Sequence, residues 1–384
     1  MNFLRKERAK ILLPAIKSSY ANDLDIFNEF IKNLLEYLAA RKTEVFDKED
    51  FQRRFEGQGI EWILNLNKMS QGINDLLKLS EDDRWLLYRA FDMDINFAAS
   101  IDSEDFQFQY PLLPPHVKIV AKPFLEALYD DILGGTTGIR MNSISKNYLK
   151  REHIRKGFFD KNRKKCGHIN ITCPACLGEI SPTYEDAYAD LDHYLTKSVY
   201  PVLSLSSDNL IPICKTCNQT TVKGSINPLQ NYQMKGGLLN IFIPYHRVGI
   251  DFIEIEIKSE EPDEKVELRE KSEQEVQIDR INNFQRLYKL NERWTGKVNS
   301  SISEVIAKTV LYSVLVETNN SHELITEELV RKELMKIYRT SMSMYKTVPD
   351  MFLQAEYVRV IMNEPAKFKG FFKYILDLAL MDCG

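Results

Sequence analysis

Two Cys-x-x-Cys pairs, Cys173/Cys176 and Cys214/Cys217, stand near the middle of the chain, and an Asp192–His193 pair, Asn209 and Asn218 lie between or beside them. A Cys-x-x-Cys turn brings two thiolates within reach of one ion. Two such turns supply the tetrahedral sulfur set that zinc takes in structural sites, with Zn–S distances near ~2.3 Å. A lone pair would leave redox chemistry or simple packing open; two pairs flanking a Pro- and Asn-rich stretch favour zinc. The 37 residues from Leu177 to Ile213 separate the two knuckles, so a shared ion ties the start of this segment to its end. Four sulfurs close the coordination sphere and leave no position for water, so the zinc is expected to be structural. Cys166 and His168 are alternative ligands that would break the symmetry, and Cys383 is left over.

Asp192 and His193 are adjacent, so on a strand their side chains diverge. One can hold a metal while the other faces a nucleophile. Asn218 directly follows Cys217, so the second knuckle fixes its place; "NQTTVKG" reads as the first turn or two of a helix with Asn218 at its start. Asn209 precedes "LIPIC", where an amide side chain can bond loop backbone and hold a turn. An imidazole with a pKa near ~6.5 suits a general base at neutral pH. Oxygen ligands from Asp192 and Asn218 suit Mg2+ or Mn2+. Taken singly, a surface histidine and a turn asparagine are the commoner readings; the ordered set points to metal-assisted hydrolysis.

The string "LDHYLTKSVYP…DNLIPICKTCN…KG", with "CPAC" upstream, resembles the HNH endonucleases, ββα-metal nucleases, here of the kind carrying a four-cysteine structural zinc. The resemblance runs from Cys173 to about Gly224. It implies that His193 activates water, that Asp192 and Asn218 hold one catalytic divalent ion, and that Asn209 braces the loop and orients the histidine. It also places Lys223 near the phosphate. An asparagine at the third motif position suits a hard ion such as Mg2+ over a soft one. Lys197, Arg163, Lys164 and Lys165 are further candidates for nucleic-acid contact, and DNA is the expected partner. The readings that compete are a non-catalytic zinc module binding nucleic acid or protein, and an RNA-cleaving toxin.

Around these residues the chain must build supports. From Arg140 to Lys165 there are ten Lys or Arg against Glu152 and Asp160. Most such runs are solvated helix faces, but this one abuts the cysteine segment and is a candidate for salt-sensitive phosphate binding. Residues 1–139 read as helical. Phe27, Phe30, Ile31, Leu34, Leu35 and Leu38 recur at helical spacing, with Asn22 as a candidate N-cap. Ser80 and Asp83 form a candidate capping box. "YPLLPPHVK" reads as a break, "PFLEALYDDIL" as a helix ended by Gly134 and Gly135, and "GGTTG" as a turn rather than a phosphate loop. After residue 250, "DFIEIEIKS" alternates as a strand, and helical patterning returns from about Val276. The acid-rich stretch from Glu254 to Glu275 is a candidate competitor with phosphate for the basic run.

The expected fold is α+β: a small central ββα-metal module with two zinc knuckles (140–250) between mainly helical regions (1–139 and 251–384, the latter opening on a strand segment). The 384 residues, 44% hydrophobic and 28% charged, carry a net charge of −4, which alone decides nothing about nucleic acid. No apolar run is long enough to span a membrane, and the N-terminal patch is too short for a signal peptide, so a cytoplasmic protein is expected. The helical arms, which show no cluster of acid, base or nucleophile, are expected to regulate or target the nuclease. By analogy with defence nucleases, a partner protein such as an ATPase is a candidate.

Overall fold

In the computed structural model the described residues are 17–54, 67–134, 139–140, 148–166, 172–178, 180, 189–247, 253–260, 263–270, 275–345 and 348–382. In chain order the helices and strands are α1 (Ala21–Ala39), α2 (Lys48–Arg54), α3 (Asn67–Leu77), α4 (Glu81–Ile95), α5 (Pro115–Gly134), β1 (Ile139–Arg140), β2 (Tyr148–Leu149), α6 (Arg151–Cys166), β3 (Ala189–His193), β4 (Leu210–Cys214) and α7 (Lys215–Asn218). They continue with β5 (Ile253–Glu260), β6 (Asp263–Glu270), α8 (Glu275–Tyr288), α9 (Leu290–Lys297), a π turn (Val298–Ile302), α10 (Ser303–Glu317), α11 (Glu327–Met344), α12 (Met351–Asn363) and α13 (Pro365–Asp382). The fold is mostly helical with small antiparallel strand pairs, an α+β arrangement; β1 pairs with β2, β3 with β4 and β5 with β6. No described helix is long and apolar enough to cross a membrane. The chain divides into two compact units: Leu13–Gly167 with Thr183–Val248, and Met1–Leu12 with His168–Pro182 and Gly249–Gly384.

In the first unit, α1 buries the periodic row Leu24, Phe27, Phe30, Ile31, Leu34, Leu35 and Leu38 and packs on α4, while α3 packs on α5. The cap of α1 differs from expectation: the helix begins at Ala21, one residue before Asn22, and its N-cap Tyr20 makes no side-chain bond. Ser80 does cap α4. Its hydroxyl oxygen accepts from the Asp83 amide at 3.1 Å, and its hydroxyl donates to the Asp83 carboxylate at 2.7 Å. The helix read from "PFLEALYDDIL" starts eight residues early, at Pro115, and runs through Pro123. Proline is tolerated there because the chain before it, Pro115–Lys122, already supplies the first turns, so one lost bond is outweighed by the burial of Val117, Ala121, Phe124, Leu125 and Leu128.

These helices carry the loop between β3 and β4. Asn28 Nδ2 of α1 donates to the Leu205 carbonyl (3.1 Å), the Ser204 hydroxyl donates to the Leu125 carbonyl of α5 (3.2 Å), and Lys122 Nζ donates to the Ser198 carbonyl (3.0 Å). Tyr200, Val202, Leu203 and Leu205 are buried beneath them. In the second unit, β5 and β6 pair from Ile253↔Glu270 to Glu260↔Asp263, as the alternation of "DFIEIEIKS" requires, and β6 packs on α8 and α9. The described helices α8–α13 cover the segments read as helical from the sequence and add α12, whose pattern is short. Of "GGTTG" (134–138) only Gly134, the last residue of α5, lies among the described residues.

Candidate active site and cysteine cluster

β3 and β4 pair antiparallel with Asp190 opposite Ile213, Asp192 opposite Ile211 and His193 opposite Leu210. The alternation of β3 sends Asp190 and Asp192 to one face and His193 to the other. The chain leaves β4 at Cys214 and enters α7, a single turn. Asn218 closes that turn instead of opening a longer helix, because the Gln219 backbone is already extended. The knuckle sets this ending: the Cys214 sulfur accepts from the Cys217 amide at 3.4 Å and acts as the N-cap.

The imidazole of His193 is fixed by two neighbours from outside its strand. Its Nε2 lies 3.0 Å from the Ser204 carbonyl oxygen, which can only accept, so Nε2 carries the proton and Nδ1 is the basic atom. Tyr129 of α5 packs edge-on against the ring, with centroids 4.3 Å apart. Burial pushes the imidazole pKa down to about 3; the Ser204 bond opposes this, and Lys197, Lys223 and Arg151 add to it. At neutral pH the ring is therefore uncharged.

On the opposite face, Asp192 is buried against Lys223, which is fully buried itself. Lys223 Nζ lies 3.0 Å from one Asp192 oxygen and 2.8 Å from the other, and donates to the His193 carbonyl at 2.8 Å. The contact to Asp192 Oδ2 has ion-pair distance without hydrogen-bond geometry, so that oxygen is buried with no hydrogen-bond partner. Burial raises the Asp192 pKa and Lys223 lowers it. Lys223 owes its inward course to Gly224, which has φ +45°; a Cβ there would come 2.7 Å from Thr220 Cα.

Asn209 has no exposed surface. Its Oδ1 accepts from the Leu195 amide (2.6 Å), and its Nδ2 donates to the carbonyls of Leu195 (2.9 Å) and Leu203 (3.2 Å). It thus ties both ends of the 195–203 loop one residue before the Ser204 that holds His193. Asn218 Nδ2 donates to Asp190 at 3.0 Å, which leaves the amide oxygen as its group for a cation.

The structure thus gathers Asp192, His193, Asn209, Asn218 and Lys223 on and around one strand pair. The resemblance assigns Lys223 to phosphate; the structure puts it inside, on Asp192, with no surface to offer. Lys197 is partly exposed and pairs with Asp130 at 3.2 Å. Arg163, Lys164 and Lys165 lie in α6, but their side chains fall outside the described residues, as do those of Cys166 and Cys383 and the whole of His168. Sequence reading passed over Tyr129, Ser204 and Asp190, and took in Arg151 only as one member of the basic run. Asp190 had a signal, two residues before Asp192 on the same face of a strand; Tyr129 and Ser204 had none, because they reach His193 only through the fold.

The sulfurs of Cys173, Cys176, Cys214 and Cys217 are buried and lie within 4.8 Å of one another. Among the described residues no other group of three or more Cys, His, Asp or Glu gathers to this closeness. Four thiolates at this spacing, shielded from water, fit a tetrahedral zinc ion. The first knuckle is shaped for it: the Gly178 amide donates to the Cys176 sulfur at 3.4 Å, and Leu177 takes a left-handed φ of 55° to make that turn. Trp294 Nε1 donates to the Cys176 carbonyl at 3.3 Å. No protein-family profile, no curated protein and no solved structure matches the chain, so the function rests on this geometry.

Proposed function

We propose that the protein is a zinc-braced HNH-type nuclease that hydrolyses DNA phosphodiester bonds with His193 as general base. The observation that carries this reading is the placement of His193: its Nε2 donates to the Ser204 carbonyl, which leaves the Nδ1 lone pair to accept a proton, next in sequence to a buried carboxylate. The order strand, loop, strand, helical turn around it supports the same reading.

Nδ1 of His193 takes the proton from a water as the water attacks phosphorus; the bond from phosphorus to the opposite sugar oxygen breaks, and that oxygen leaves with the electron pair and is protonated by solvent water, while the Ser204 carbonyl holds the imidazolium that results. Asn209 keeps the 195–203 loop closed, so Ser204 stays in place. Asp192 and the amide oxygen of Asn218 would hold Mg2+ or Mn2+, which supplies positive charge to the phosphate when bound. The donor set fits such a hard ion: one buried carboxylate oxygen without a hydrogen-bond partner, and one amide oxygen turned away from Asp190. Asp192 must then share its charge with Lys223 or release it.

That last point favours one second reading. A buried lysine on Asp192 is also what a non-catalytic zinc module would use to satisfy the carboxylate. Nicking of supercoiled plasmid, linear and single-stranded DNA, and RNA, by wild type and His193→Ala with Mg2+, Mn2+ or EDTA, decides between them. The nuclease reading expects metal-dependent cutting of DNA that His193→Ala abolishes while leaving DNA affinity near wild type. No cutting under any condition supports the binding module, and cutting of RNA alone supports the toxin reading.

A further inference from the structure

Beside His193 lies a second group of charges that the general-base reading does not use. Tyr129, 5% exposed, touches the imidazole with its ring and carries two cations over that same ring: the Arg151 guanidinium at 4.5 Å and the Lys197 ammonium at 5.0 Å from its centroid. Both reach the same carboxylate oxygen, Asp130 Oδ1, at 3.5 and 3.2 Å. Unlike Lys223, these groups are open to solvent, with Asp130 49%, Arg151 40% and Lys197 24% exposed. Arg151 Nε has no hydrogen-bond partner. Two positive charges facing one negative leave a net charge of one, on the ring that packs against His193.

An isolated exposed ion pair would be unremarkable and worth little. Here two long side chains, one from the first residue of α6 and one from the β3–β4 loop, are laid on one buried ring, so their direction is set before any ligand arrives. Cations are attracted to the face of an aromatic ring, and an arginine offers several donors in a planar fork matched to phosphate oxygens. Resting on the nuclease reading, we infer that Arg151 and Lys197 bind a backbone phosphate of the DNA strand at the His193 site, and that the Asp130 carboxylate holds their place in the free protein. Tyr129 and Arg151 come from the N-terminal helical region and the basic run, so the helical part of the first unit supplies a piece of the binding surface. Arg155, one turn on, is already used structurally: its Nη1 donates to the Ala189 carbonyl at 3.0 Å and fastens α6 to β3.

The test is equilibrium binding of full-length protein to short fluorescein-labelled DNA, duplex and single-stranded, and to RNA of the same length, by anisotropy across a salt series in EDTA, so that binding is read without cleavage. Arg151→Gln and Lys197→Gln are each expected to weaken binding roughly 5- to 10-fold and to lower the slope of log affinity against log salt by about 1. Lys197→Arg keeps the charge and should stay near wild type, whereas Arg151→Lys should keep the salt slope but lose part of the affinity, because an ammonium lacks the guanidinium fork. Lys78→Gln, which removes an exposed charge just after α3, should change neither quantity. Asp130→Asn should tighten binding, since the competing carboxylate is gone. If the glutamine variants fail to fold, Asp130→Asn alone decides, and unchanged affinity there overturns the inference. Wild-type affinity and slope in folded Arg151→Gln and Lys197→Gln also overturn it, as does absence of DNA binding by wild type at low salt or a preference for RNA over DNA. Plasmid nicking is scored separately. Nicking with unaffected binding in the variants leaves the nuclease standing and sinks the phosphate pair; weakened binding without nicking does the reverse.

Discussion

The two longer strand pairs solve the problem of charge on a strand in opposite ways. In β5–β6 the pattern is clean: Ile255, Ile257, Val266 and Leu268 are buried, while the acids and bases between them face outward. Those charges pair on the surface. Lys258 meets Glu267, Lys265 meets Glu267 at 3.3 Å, Arg269 meets Glu256 at 2.5 Å, and Lys367 of α13 meets Glu264 at 2.6 Å. The acid-rich stretch is thus partly neutralised within its own unit, which weakens its reading as a competitor for the basic run. In β3–β4 every β4 residue is buried, and Asp192 points inward. A charge there persists only because a second buried charge, Lys223, comes back along the chain to meet it. The lesson is that surface pairs tune a strand whose fold is already decided by its apolar face, whereas buried pairs and buried amides decide whether β3–β4 has its form.

Substitutions should separate the two pairs in graded fashion. The largest effect is expected at the end of β4. Cys214→Ser should strip zinc, read by elemental analysis after removal of loose metal, and lower the thermal midpoint by roughly 10 °C or more, because metal binding contributes directly to folding. Retention of one zinc per chain would show that Cys214 is not a ligand. Next comes Lys223→Met, which leaves Asp192 buried and unpaired and should cost about 3–5 kcal/mol in urea unfolding. Adding Asp192→Leu should return much of that loss, and failure to do so would mean that the lysine acts through packing or the His193 carbonyl instead. Asn209→Ala removes three buried hydrogen bonds and should cost about 2–4 kcal/mol, with cleavage falling further than Mg2+ affinity.

The smallest effect belongs to β5–β6. Glu267 is held below the usual glutamate range, first by the Lys258 hydrogen bond and then by Lys265. A depressed carboxylate stabilises the fold above its unfolded pKa and loses that contribution as pH falls through its folded pKa. Glu267→Gln should therefore cost under about 1 kcal/mol near neutral pH, with the difference from wild type vanishing in acid below the normal glutamate range. A loss as large as that of Lys223→Met would erase the contrast between the strand pairs.

The same contrast explains what the sequence disclosed. β5 was legible because its burial repeats every second residue, and α1 because its apolar row repeats at helical spacing. The knuckles were legible because paired Cys-x-x-Cys spacing is what lets four sulfurs gather, and the order of Asp192, His193, Asn209 and Asn218 foreshadowed their gathering around one strand pair. Lys223 was visible as a basic residue, but its inward direction was not, since it depends on a turn whose shape no periodicity records. Tyr129 and Ser204 were hidden for a related reason: they reach His193 from α5 and the β3–β4 loop, and nothing in their local sequence refers to it. The extension of α5 back to Pro115 was hidden by prolines that ordinarily stop a helix.

Gly224 gives the turn at Lys223 a consequence in heredity. Every single-nucleotide missense change in a glycine codon installs a Cβ, and at this position any Cβ collides with Thr220. Alanine, serine, valine, aspartate and arginine are equally barred on that count. A gene encoding this chain therefore carries a codon at which every one-step missense change is expected to strain the fold, although the residue has no side chain and bears no charge. If His193 acts as proposed, loss-of-function variants selected without regard to mechanism should accumulate at Gly224 as readily as there, and would be mistaken for damage to the site.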